Sequence, residues 1–159
     1  MADDFEFSLI GLDSVLKNMG YVSDAVAGKK ARSALRKAAN VVAAAARVNA
    51  ENLDDAGTGR KISENIGVRW NGRRFKRSSE FAFRIGVLKG AVLPKNNNAN
   101  TGEGAATPHW RLLEFGTKVS PAKPFLRPAL ENNISQVTNT FITELDKALS
   151  SAIKRGKTL

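Results

Sequence analysis

Few side chains in this sequence could do acid–base, nucleophilic or metal chemistry. There is one histidine, His109, and no cysteine, so neither a histidine cluster nor a thiolate site can be built around a metal ion. His109 stands between Pro108 and Trp110 with no nucleophile beside it, and it reads as a packed or hydrogen-bonded structural residue rather than a lone general base. Asp54 and Asp55 are adjacent in a polar, glycine-containing stretch, where acids solvate or cap more often than they exchange protons. Glu114 is different. It is surrounded by Trp110, Leu112, Leu113 and Phe115, which predicts a buried carboxylate, and a buried carboxylate needs partners. Arg111, Arg127 and backbone N–H groups are the candidates. The chemistry expected of Glu114 is hydrogen bonding that anchors a turn at Gly116. No catalytic, cofactor-binding or metal-binding residues are expected.

The second reactive stretch is electrostatic. Arg73, Arg74, Lys76 and Arg77 place four cations in five residues, and such a run cannot lie unpaired in a core. It is the candidate contact for DNA or for an acidic protein. The whole chain is basic, with a net charge of +10 and a pI of about 10.2. That balance implies an anionic partner, either nucleic acid or an acidic neighbour in an assembly.

These residues must be positioned by a fold of ordinary composition. The chain has 159 residues, 42% hydrophobic and 25% charged, and reads as a single domain, 1–159, with a real core. No apolar run is long enough to span a membrane, and the acidic start MADDFEFSLIG lacks a signal-peptide pattern. The absence of cysteine fits assembly in a cytoplasm.

Phe5, Phe7 and Leu9 alternate with polar residues as in a short strand, and Leu12, Val15, Leu16 and Met19 recur at helical spacing before a connector over 21–28. A long alanine-rich helix is expected from Lys29 to about Asn52. Its stripe is Ala31, Leu35, Ala38, Val42 and Ala45, widened by Val41 and Val48. Lys29, Lys30, Arg32, Arg36 and Lys37 line the other face, either tracking phosphates or simply solvated. Alternation predicts strands at 65–70 and 80–88, joined by a long-tipped hairpin that carries the cation run. The segment 89–107 holds Asn96, Asn97, Asn98 and Asn100 with few apolar residues, and reads as a mobile loop or one that orders against a neighbour.

Gly116 breaks the apolar run, and Pro121, Pro124 and Pro128 punctuate the residues beyond it, so 117–124 is expected to be a stiff extended connector. Leu130, Ile134, Val137, Phe141, Leu145, Ala148 and Ala152 then predict one helix over about 127–154, followed by a basic tail, 154–159. The fold class is α+β: an antiparallel sheet of three to five strands packed against the alanine-rich and C-terminal helices.

Two motifs carry a family resemblance. Glu114, Phe115, Gly116 and Thr117, followed after a short spacer by Pro124, Phe125, Leu126, Arg127, Pro128 and Ala129, resemble the neck and tail-completion proteins of long-tailed phages. These include minor tail proteins similar to the lambda Z protein. Phe7 to Leu16 resembles the family's opening, and Leu35 to Arg47 its long helix. Thr58-Gly59 is followed by Arg60-Lys61-Ile62 where the family usually has an apolar residue. The resemblance implies a structural virion protein without enzymatic activity, forming a ring at the head–tail junction, sixfold by the family's habit. Its implied partners are further copies of itself, the head connector, and tail-terminator or tail-tube proteins, with genomic DNA in the lumen and no membrane. A basic DNA-binding protein using Arg73, Arg74, Lys76 and Arg77 is the alternative.

Overall fold

The computed structural model describes residues 24–54, 57, 59–88 and 106–156. Along them run α1 (Asp24–Glu51), α2 (Ile62–Asn65), β1 (Ile66–Trp70), α3 (Gly72–Ser78), β2 (Phe83–Val87), α4 (Trp110–Phe115), α5 (Leu126–Glu131) and α6 (Ile134–Gly156). β1 and β2 form a two-stranded antiparallel sheet, with Ile66 opposite Val87 and Trp70 opposite Phe83. The protein is therefore α+β. The strand expected at Phe5–Leu9, the following helix and the loop segment 89–105 lie outside the described residues, so the sheet has two strands among those described.

The chain divides into two compact units, the boundaries falling inside α1 after Ala38 and at the start of α6 after Ile134. In one unit, the first part of α1 packs on α6. Ala27 and Ala34 meet Ile142, Leu145 and Leu149, with Ala31 and Phe141 at the margin. Small side chains on α1 admit the bulky ones of α6, and each of those contributes about 1.5–3 kcal/mol on full burial. Lys37, on the rim of this contact, is hydrogen-bonded and ion-paired to Glu144. In the other unit, Val42, Ala43, Ala46 and Ala50 of α1 are buried, as are Ile62, Ile66, Phe125 and Ala129.

Several expectations are corrected here. The helix begins at Asp24, within the expected connector. Its buried stripe runs through Ala27, Ala34, Ala38, Val42 and Ala46, while Val48 is 62% exposed. The alanines win this choice because they allow the closest approach of a neighbouring segment. The C-terminal element is two helices. Asn133 donates its side-chain N–H to the Ala129 carbonyl at 2.9 Å, and the Asn132 N–H reaches Pro128 O at 3.0 Å. A side-chain amide competing for helix carbonyls is what makes asparagine a helix terminator. Leu130 and Ile134, placed in the expected apolar stripe, are about half exposed. Lys154 and Arg155 lie in the last turn of α6, where basic residues suit a helix C-terminus.

The hairpin tip is also a surprise. Arg73 to Ser78 are helical, as α3. Asn71 starts it, its side chain accepting the Arg74 N–H at 3.3 Å, and Ser79 closes it in the left-handed conformation at φ 55°. Trp70 holds this helix on the strands: its ring lies 5.5 Å from Phe75, 6.0 Å from Phe81 and 5.2 Å from Phe83. Tilted and edge-on aromatic contacts of this kind are favourable beyond the area they bury.

Candidate functional site

The stretch from α4 to α5 is built around Glu114, which is 2% exposed. The N-cap position before α5 is held by Phe125, a residue with no side chain able to cap. The first N–H groups of any helix lack intrahelical partners, and the helix dipole adds partial positive charge there. Glu114 supplies what Phe125 cannot. Its Oε2 accepts the N–H groups of Phe125 at 2.8 Å and Leu126 at 3.0 Å, and its Oε1 accepts the Arg127 N–H at 3.2 Å. Arg127 closes the loop from the other side. Its Nε donates to Glu114 Oε1 at 3.3 Å and its Nη2 to the Glu114 carbonyl at 2.8 Å. Pro128 comes in the first turn of α5, where a missing N–H is tolerated. Arg111 is not part of this set: its guanidinium lies 5.5 Å from the Trp110 ring centre.

Two further contacts fix the path. Lys123 donates its N–H to the Leu113 carbonyl at 2.7 Å, and Asn49 of α1 donates to the Phe125 carbonyl at 3.2 Å. Between α4 and α5 the chain is not simply extended. Thr117 folds it back: its hydroxyl accepts the N–H groups of Val119 and Ser120, and its own N–H reaches Ser120 O at 2.8 Å. Hydroxyl-to-backbone bonds override the proline-driven extension until Pro121. Gly116 makes the turn possible with φ 75° and ψ 178°, a region essentially reserved for glycine. A Cβ there would stand 2.8 Å from the Ala122 nitrogen.

Of the residues expected to surround Glu114, Leu112 and Phe115 face outwards, at 48% and 66% exposed. The Arg127 guanidinium lies over Phe115, 5.4 Å from its ring centre. Val119 is 94% exposed, in the turn beyond.

Asp54 repeats the arrangement of Glu114 on a smaller scale. Lys61, at the N-cap position before α2, makes no side-chain cap, and Asp54 Oδ1 accepts the Ile62 N–H at 2.6 Å and the Ser63 N–H at 3.3 Å. Its Oδ2 accepts the Ser63 hydroxyl at 2.7 Å. Thr107, at the end of the expected mobile loop, is fully buried and accepts the Asn65 side-chain N–H at 3.1 Å.

The cation run lies on exposed α3. Arg74 is engaged by Glu80 at 2.5 Å, which holds the Glu80 carboxyl below its ordinary range through the hydrogen bond and the adjacent charge. Arg73, Arg77, Asn71, Ser78 and Glu80 share one concavity with Arg74. Two further cations lie on the strands that flank α3. Arg69 and Arg84 face each other across the strand ladder, both exposed, and the Arg84 guanidinium reaches Asn71 Oδ1 at 3.4 Å. Only the strand register reveals them, because they are fifteen residues apart in sequence. Among the described residues, no group of three or more His, Cys, Asp or Glu could hold a metal ion. No helix among them is long and apolar enough to cross a membrane.

The model of the HK97-gp10-like family, described as "Bacteriophage HK97-gp10, putative tail-component", matches residues 13–116. The chain belongs to this family, and is thereby a phage tail component and a constituent of the virion. No curated protein and no solved structure matches it. The family match ends at Gly116, so it takes in α4 with Glu114, the basic α3 and both strands, but not α5.

Proposed function

We propose that the chain acts structurally, as a homo-oligomeric ring at the head–tail junction of a long-tailed phage, with six copies as the resemblance implies. Its neighbours in this reading are the head connector on one side and tail-terminator or tail-tube proteins on the other. The observation that carries the proposal is the outward apolar set beside the Glu114 turn. Leu112 and Phe115 lie one turn apart on α4, Val119 comes next in the turn, and Arg127, which covers Phe115, precedes exposed Leu130 by one turn of α5. Clustered apolar side chains of this size, rimmed by charge, mark protein–protein contacts. The buried carboxylate below them fixes their backbone, so the contact is presented on a rigid support.

The test is cryo-electron microscopy of particles carrying wild-type chain or Phe115→Ser/Val119→Asp. A ring at the junction in the wild type, with unjoined heads and tails in the variant, supports the reading. One copy per junction, no copy there, or normal particles from the variant would sink it.

A further inference from the structure

Half of the chain's net charge sits in one small substructure. From Ile66 to Leu88 there are six cations, Arg69, Arg73, Arg74, Lys76, Arg77 and Arg84, and one acid, Glu80, a net of +5 against +10 for all 159 residues. Glu80 is bound to Arg74. The other five cations have no acidic partner among the described residues. Arg69 and Arg84 even oppose each other in register, an arrangement that destabilises a strand pair. Arg84 has the neutral Asn71 oxygen as a partner, but among the described residues no acid offsets that repulsion, so an external anion is the natural counterpart.

We infer that the β1–α3–β2 flap binds double-stranded nucleic acid through its phosphate backbone, without reading sequence. Three observations choose this partner over an acidic protein or a single strand. The residues around the concavity are charged or polar, Asn71, Arg73, Arg74, Arg77, Ser78 and Glu80, whereas a protein interface has an apolar centre depleted of charge. Phe75 and Phe81, the exposed aromatics nearby, lie 5.3 Å apart and both lean on Trp70, so they are not free plates for stacking bases. The one carboxamide at the site, Asn71, has its oxygen taken by the Arg74 N–H and the Arg84 guanidinium, so it cannot offer the paired donor and acceptor that read an adenine edge, and the charged groups at the site are guanidinium and ammonium donors. Such groups position a protein on phosphates and carry no base code unless they enter a groove. This inference is independent of ring formation, since a single copy carries the whole flap.

The experiment is fluorescence anisotropy of the full chain with two unrelated mixed-sequence DNA duplexes, in about 50 and about 200 mM salt. Five phosphate contacts predict affinity about 500-fold weaker at the higher salt, equal for both duplexes within a few-fold. Arg73→Ala/Lys76→Ala/Arg77→Ala, all at exposed positions, should lower the slope of log K against log salt by about 2.7. Arg84→Gln should lower it by about 0.9, while its melting temperature equals or exceeds wild type because it relieves the repulsion with Arg69. Absence of wild-type binding at the lower salt would overturn the inference, as would an unchanged slope in the triple variant. So would displacement of the duplex by polyglutamate at equal charge concentration, which would assign the face to an acidic protein. Loss of fold in Arg84→Gln would show that residue to be structural and withdraw it from the contact, leaving the triple variant to decide the rest.

Discussion

The Glu114 latch and the basic flap treat charge in opposite ways. At the latch one carboxylate, 2% exposed, receives four hydrogen bonds from three consecutive residues. On the flap six cations share one acid and lie at the surface. A buried charge survives only when its environment satisfies it, so the latch is closed and its interactions belong to folding. An exposed charge is satisfied by water and can exchange water for a partner, so the flap is open and its interactions belong to binding. The difference predicts that substitutions in the latch change stability, and substitutions in the flap change association.

The largest effect expected from that contrast is at Glu114. Glu114→Ala strands the first N–H groups of α5 and half-releases Arg127, and should cost about 3–5 kcal/mol, measured by urea unfolding. Wild-type stability in this variant would remove the distinction between latch and flap. Gly116→Ala comes next. Its backbone region and the close Ala122 nitrogen predict a loss of about 1–3 kcal/mol, or more where the turn cannot shift. The two substitutions dismantle one turn, so a double-variant cycle should give a combined loss smaller than the sum of the single ones.

Asp54 makes the contrast finer, because it is a cap like Glu114 but only half-buried. Asp54→Ala should cost about 1 kcal/mol in thermal or urea unfolding, in the ordinary range for losing a helix cap. A loss as large as that of Glu114→Ala would show that burial is not what separates the two acids.

The smallest expected effect is on the flap. Glu80 has its carboxyl lowered by its bond to Arg74, so the folded state binds this proton less readily than the unfolded one. Its contribution to stability is therefore complete above the ordinary pKa of 4.5 and fades as pH falls through the lower folded value. Glu80→Gln should lower stability slightly above about pH 5 and converge with wild type as pH falls through the folded value, which flattens the acid limb by the small amount that befits an exposed pair. A large destabilisation at neutral pH would place Glu80 in the fold rather than at the surface.

Local pattern was enough to announce much of this protein. The α+β class, the alanine-rich helix, the two alternating strands and the importance of Glu114 and Gly116 all come from periodicity, from a carboxylate among apolar neighbours and from a glycine at a break. These signals are short-range, so one stretch of chain contains them whole. Other features depend on which segments meet. The phase of the α1 stripe at Ala27 and Ala34 was set by Ile142, Leu145 and Leu149, which choose the alanine face that lets them closest. The split between α5 and α6 came from Asn133 reaching back to Ala129, one outcome among several that an asparagine pair permits. That Glu114 caps a helix twelve residues away, and that Asp54 caps another, required the acceptor and the bare N–H groups to be brought together in space. The opposition of Arg69 and Arg84 required a register, and a strand's register is a property of the pair and not of either sequence alone.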